Sequence, residues 1–375
     1  MSQSDAIETT ATADEKRRQR QALFNACERM LGTHGRISPR AALLALAEEA
    51  APDEDADMYG EGELIERFER EVAGLLGKEA AVFMPSGTMA QQIALRIWSE
   101  RKGCPNVAFH PTCHLELHEQ KGYERLHGLR GVLVGEQHRL ITLDDLRKVR
   151  EPLAALLLEL PQREIGGQLP EWDELAAQTQ WAHERGAAPH MDGARLWEAA
   201  PYYDRSYAEI AALFESVYVS FYKGIGGLAG AMLAGDAELI GEARIWQRRH
   251  GGNLIRLYPY VLAARAGLRQ RMSRFPHYHT RAVAIARVLT AIPGVAVKPD
   301  PPQSHMMHVY LPGDIETLLD AATSLARDER VLLFSRLRPA EVPGYATFEL
   351  SIGDAADGFT DDEIRGYFER VLTLA

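Results

Sequence analysis

The sequence predicts a large α/β domain with a mostly parallel mixed sheet covered by helices, followed by a smaller C-terminal α+β domain. Three observations carry that expectation. From about residue 80 to residue 235, short apolar runs alternate with helix-length segments, the pattern of βαβ units buried on both faces. The 375 residues exceed one small domain at about 100 to 200 residues per unit. Towards the C-terminus the pattern changes, and the strand-like runs HVYL, LLFSRL and TFELSI follow a long helical stretch.

In chain order, residues 1 to about 15 are polar and Thr/Ala-rich without periodicity and read as a mobile tail. An apolar-periodic helix is expected around Leu23 to Leu31. The acidic, Gly-containing segment 52–63 is a loop, and LIERFEREVAGLLG then places Leu64, Phe68, Val72 and Leu75 on one helical face before Gly77 stops the helix. AAVFM, NVAFH, GVLVG, AALLLEL, APHMD, SVYVSFY and AGAMLAG are the expected strands, with helices from Thr88 and from about Glu171 between them. A continuous helical stretch is expected from about Glu238 to Arg274. The domain expectation is an N-terminal tail and helix over 1–50, a large domain over 51–265 and a small domain over 266–375.

Composition narrows the function. Apolar residues make up 46% and charged residues 25%, as in a folded globular protein. With 42 Lys plus Arg against 53 Asp plus Glu, the net charge of -11 repels phosphate backbones, so no nucleic-acid partner is expected. Cys27, Cys104 and Cys113 make no disulfide framework, the first twenty residues carry no signal-peptide core, and no run approaches the ~18 apolar residues of a membrane span. A cytoplasmic protein without a membrane partner is expected.

Three signals fall at strand ends. Pro85-Ser86-Gly87-Thr88 lies between AAVFM and a helix, where free backbone N–H groups, two hydroxyls and a glycine make a phosphate cradle; the same residues also suit a plain helix cap. His190-Met191-Asp192-Gly193-Ala194-Arg195 ends an apolar strand in an acid followed by an arginine. Ser220-Phe221-Tyr222-Lys223-Gly224 ends a strand in a lysine among aromatic residues and glycines, where desolvation lowers the amine's pKa and favours a Schiff base. Together they are the protein groups that pyridoxal phosphate needs.

Over roughly residues 33 to 255 the chain resembles the threonine aldolase and β-eliminating lyase family of pyridoxal-phosphate enzymes, through MYGEGELIERFEREVAGLLGKEAAVFMPSGTMAQQIAL, TCHLELHEQKG, IGGQLP, HMDGARLWEA, SFYKGIGGLAGAML and RRHGGNLIR. The resemblance implies an aspartate-aminotransferase fold with active sites paired at a homodimer or dimer-of-dimers interface. It implies Lys223 as the internal aldimine, Asp192 beneath the pyridine nitrogen, Gly87 and Thr88 with Ser86 at the phosphate, and His114 stacked on the ring. Arg195 is implied near the substrate carboxylate or cofactor oxygen, and Tyr59 and Arg256 near the subunit boundary. The implied reaction is retro-aldol cleavage of a threonine-like β-hydroxy-α-amino acid to glycine and an aldehyde. β-Elimination, racemisation and a non-catalytic cofactor-binding regulator remain open alternatives.

Departures from the family bear on the chemistry. Where the family carries a Glu-Asn-Thr-His-like run, this chain has Glu159-Leu160-Pro161-Gln162-Arg163, so a histidine that could serve as base is missing. Gln162 and Arg163 are left to bind substrate. The family's carboxylate-holding arginine in a C-terminal strand is replaced by Phe348, with Arg336 or Arg338 as substitutes. The base then falls to His114, to His118 or Glu119, or to a held water, with His114 favoured. His110, His114 and His118 also share a helical spacing that metal ligands use, but the segment coincides with the cofactor-stacking match, so no metal is expected.

Overall fold

The computed structural model describes residues 3–375, with side chains from residue 14 onward. It divides into two compact units, Ile37–Pro276 and a second that combines the chain up to Arg36 with His277–Ala375.

The larger unit is built on a seven-stranded sheet. Its strands are β1 (Ala80–Met84), β2 (Asn106–Phe109), β3 (Arg130–Leu133), β4 (Ala155–Glu159), β5 (Ala188–Gly193), β6 (Ser216–Ser220) and β7 (Ala231–Gly235), in spatial order β1-β7-β6-β5-β4-β2-β3. The pairs from β6 to β3 are parallel, and β7 alone runs against its neighbours β1 and β6. Every residue of β4, β5, β6 and β7 is buried, which is why these segments read as apolar runs and not as alternating ones. The register sets Glu159 beside Asp192 and Asp192 beside Tyr218, so the C-terminal ends of β4, β5 and β6 form one edge. Ligands of open α/β sheets bind at such an edge.

The helix Glu63–Leu75 buries Leu64, Ile65, Phe68 and Val72, and the four-residue spacing continues to Leu76, which is fully buried. Leu75, expected on that face, is 36% exposed because it lies one position before the stripe returns. Helix Gly87–Lys102 begins at the Ser86 cap, whose Oγ accepts the Met89 N–H, and ends with Arg101 and Lys102 ahead of a left-handed Gly103. Between Glu238 and Arg274 the chain forms two α-helices, Ala237–Arg249 and Tyr258–Arg271, in place of one continuous stretch. The adjacent Gly251 and Gly252, the first at φ +69°, explain the break.

In the smaller unit, Arg338–Pro339, Tyr345–Ser351, Met306–Pro312 and Ala296–Lys298 make a four-stranded antiparallel sheet in that order. HVYL falls within one of its two long strands and TFELSI, except Ile352, within the other, whereas LLFSRL contributes only Leu332 to the short strand Val331–Leu332. That strand pairs in parallel with Arg29–Met30. The helix expected through Leu31 therefore ends at Asn25 to free the chain for strand pairing. At its other end it begins at Gln3, where a tail was expected, since no Gly or Pro interrupts the sequence before Gly32; Met1 and Ser2 lie outside the described residues. Lys16 and Arg20 tie this helix to Asp320 at 2.7 and 2.9 Å.

Candidate active site

The chemistry-bearing residues of the larger unit gather where β4, β5 and β6 end. Asp192, fully enclosed at the end of β5, accepts the Ala194 N–H at 3.0 Å, and its own carbonyl accepts from Leu160. Burial raises its pKa, against the pull of Lys223, the Ala194 amide and His114. A buried carboxylate of this kind gains most from a cationic partner.

Lys223 lies just beyond β6 in a tight turn in which Gly226 donates to the Lys223 carbonyl at 2.8 Å and Gly227 to the Phe221 carbonyl at 2.6 Å. Its ammonium is disfavoured first by burial and then by Arg195, while Asp192, Glu159 and Glu198 favour it. The net effect is a lowered pKa, the condition a nucleophilic amine needs. Its Nζ stands 5.9 Å from the Tyr222 ring centre.

Opposite this turn, the start of helix Gly87–Lys102 presents backbone N–H groups that no helical carbonyl can reach. Gly87 meets a specific steric demand: a Cβ there would lie 1.9 Å from the Tyr218 hydroxyl, so only glycine lets that phenol rest on the helix start. Tyr218 in turn hydrogen-bonds to Tyr222. Thr88 is exposed on the first turn.

His114 opens a short helix, His114–Leu117, and its Nδ1 pairs with Glu119 Oε1 at 2.9 Å. The second oxygen of the buried Glu119 accepts from Gln92 at 2.8 Å, so the carboxylate and the imidazole are both oriented. The three-histidine helical face does not form, because the helix spans four residues and His110 precedes it, buried against Thr112 and the carbonyls of Glu136 and Arg139. Among the described residues no group of three or more His, Cys, Asp or Glu is arranged to hold a metal ion.

Gln162 donates to Glu159 at 3.1 Å and to Thr112 at 3.4 Å. Arg163 pairs with Glu164 at 2.7 Å, and Glu164 also holds His118 at 2.9 Å. Both Gln162 and Arg163 thus engage protein carboxylates beside the strand edge. Tyr59, at φ +53° and half exposed, donates its N–H to the Ile255 carbonyl at 3.3 Å, and Arg256 donates to the Asp57 carbonyl at 2.8 Å. These two residues are brought together on an exposed edge that also carries Met58 and Ile255. Arg336 and Arg338 belong to the smaller unit, both exposed, with Arg338 3.3 Å from the His308 imidazole.

Two carboxyls stand out that sequence patterns did not single out as catalytic. Glu159, at the end of β4, has its pKa pushed up to about 7 by burial and by Asp192. Glu198, in helix Leu196–Tyr203, is raised to about 7 chiefly by burial. The available signal was an acid embedded in an apolar segment, LLLE in one case and LWEAA in the other.

Known proteins resemble this chain in sequence and in fold. A family model described as Beta-eliminating lyase matches residues 38–311. A candidate L-allo-threonine aldolase from Listeria monocytogenes EGD-E superposes with a TM-score of 0.91 at 41% identity, covering 96% of this chain and 99% of that one. A candidate aromatic amino acid beta-eliminating lyase/threonine aldolase from Exiguobacterium sp. 255-15 gives 0.90 at 41% identity over 95% and 99%. Low-specificity L-threonine aldolase 1 of Arabidopsis thaliana is 26% identical over 65% of this chain and 70% of its own length.

Proposed function

The chain belongs to the β-eliminating lyase family, and from that membership we propose that it is a pyridoxal-phosphate-dependent aldolase cleaving a threonine-like β-hydroxy-α-amino acid to glycine and an aldehyde. The observation that carries this reading is the convergence of Lys223, Asp192 and the Gly87 helix start on one sheet edge, within reach of one histidine-carboxylate pair. The residues present fit the cofactor: a buried acid whose charge needs a cation, a lysine of lowered basicity, and a helix start at which glycine is sterically required.

In this reading Lys223 carries the cofactor, Asp192 holds the proton on its ring nitrogen, and Ser86, Gly87 and Thr88 hold its phosphate. Bound pyridoxal phosphate supplies the electron sink for cleavage of the Cα–Cβ bond. His114 would take the β-hydroxyl proton beside the bound ring, and Glu119, paired with Nδ1, would fix which imidazole nitrogen is left to accept it. The hydroxyl oxygen would then become the aldehyde carbonyl, and return of the one proton removed from it to Cα would complete glycine and balance the reaction. Arg195 holds the substrate carboxylate, assisted by Gln162 and Arg163.

The smallest active unit in this proposal is a homodimer, with Tyr59 and Arg256 at the boundary; the exposed Met58, Tyr59 and Ile255 on that edge support it. Among the described residues no helix is long and apolar enough to cross a membrane, and Cys27, Cys104 and Cys113 are free thiols, which supports a cytoplasmic location.

The test is product analysis of the purified, cofactor-loaded protein with a panel of β-hydroxy-α-amino acids. Equal amounts of glycine and aldehyde are expected. Ammonia and a keto acid in their place would establish β-elimination, and inversion without cleavage would establish a racemase.

A further inference from the structure

The fully buried Glu198 is one turn from Arg195 and reaches back towards the cofactor lysine. Its helix is fixed on the sheet: the Trp197 indole donates to the Ser220 carbonyl at 2.9 Å, and the Tyr207 hydroxyl donates to the Trp197 carbonyl at 3.1 Å. Glu198 is thereby delivered rigidly to the turn that follows β6. A methyl group placed on Gly224 would fall 2.1 Å from Glu198 Oε1 and 3.2 Å from Phe275, so the carboxylate and that ring enclose the Gly224 backbone. Gly224 directly follows Lys223, and Arg271 fixes the next residue by donating to the Ile225 carbonyl at 2.8 Å.

We propose that Glu198 is a positioning residue for Lys223: its carboxylate braces the Gly224 backbone and sets a negative charge near the lysine nitrogen, favouring the protonated form of the lysine-cofactor linkage. The inference rests on Lys223 as the cofactor lysine. The charged and titratable groups around this carboxylate are Arg195 from the preceding turn, Lys223 from the turn after β6 and Tyr207 from helix Tyr207–Ala211. Asp192 and Glu159 act on the same lysine from the other strands. Because burial holds the Glu198 pKa near 7 and Arg195 and Lys223 only partly oppose it, the carboxyl loses its proton across the neutral range. Its effect on Lys223 is therefore greatest above neutrality.

The test is a spectroscopic pH titration of the visible absorbance of the lysine-linked cofactor in the parent protein, Glu198→Gln and Glu198→Asp. Glutamine keeps the shape and loses the charge. Its titration midpoint is expected to fall by about one pH unit, the size of effect a nearby opposite charge has on a titrating group. Aspartate keeps the charge and should lie between the other two. Where a variant takes up no cofactor, the pH dependence of Lys223 acylation in the cofactor-free chain, read by mass spectrometry, should show the same downward shift. A Gln variant whose midpoint matches the parent overturns the inference, even if that variant is less stable. A parent whose cofactor is not linked to Lys223 overturns the cofactor assignment along with it.

Discussion

Two roles are open to His114 in the proposed site, ring-stacking plate and proton acceptor, and its partners favour the second. A stacking plate needs no fixed tautomer, yet Nδ1 is held at 2.9 Å by Glu119, which is itself oriented by Gln92. Under the proposed role, His114→Phe keeps an aromatic ring but loses the acceptor. Its retro-aldol rate should fall by about 10²- to 10⁴-fold while cofactor absorbance is retained. Glu119→Gln leaves the imidazole in place, loses the charge that orients it, and should cost less. Steady-state kinetics of both variants check this, and a His114→Phe enzyme near the parent rate would move the base elsewhere. At this scale the residues proposed for the site could be picked out in the sequence, because a lysine or an acid closing an apolar strand is conspicuous. Glu198 was not, because an acid inside an apolar helix looks like an ordinary surface position until the tertiary fold encloses it. The pairing of Gln162 with Glu159 was equally hidden, since it depends on a backbone turn beyond β4.

Among the elements, the strands of the seven-stranded sheet were readable, whereas the short strands of the smaller unit and the helix boundaries were not. Strands buried on both faces announce themselves as apolar runs, whereas helix ends depend on local turns and distant pairings. Leu23–Leu31 shows the second case: strand pairing with Val331–Leu332 overrides the helical pattern. Helix Tyr258–Arg271 is held by a similarly distant contact that no local pattern reveals. Arg265 reaches Glu49 at the end of helix Pro39–Glu49 at 3.1 Å and Glu54 in the following loop at 2.5 Å, with all three side chains largely buried. Arg265→Ala removes the buried arginine that Glu49 and Glu54 share and leaves them the more exposed Arg269 and Arg67, so it should destabilise the larger unit by about 2 kcal/mol. The arginine holds the Glu54 carboxyl down at about 2, below its usual 4.5. A depressed carboxyl pKa contributes stability that is complete above the unfolded value and is lost as pH falls towards the folded one. Urea unfolding should therefore show the full difference between parent and variant at neutral pH and a smaller one as pH falls below 4.5. A difference that is absent at neutrality, or that does not shrink in acid, would contradict this account of the clip.

At the scale of the molecule, the arrangement follows from one constraint: parallel strands need crossover helices, and the crossovers bring the starts of helices and the ends of strands to the same edge. That rule is what points to this edge as the proposed site. The split of the chain was less visible, because the N-terminal helix joins the C-terminal unit through pairings separated by about three hundred residues, and no periodicity encodes them. In the proposed function, the edge of the larger unit forms one cofactor site organised by Lys223. Borohydride reduction of the cofactor-loaded protein followed by peptide mapping tests it most directly. The protein should be yellow before reduction and carry a stable pyridoxyl group on the peptide containing Lys223. A pyridoxyl group on another lysine with Lys223 unmodified would contradict the account.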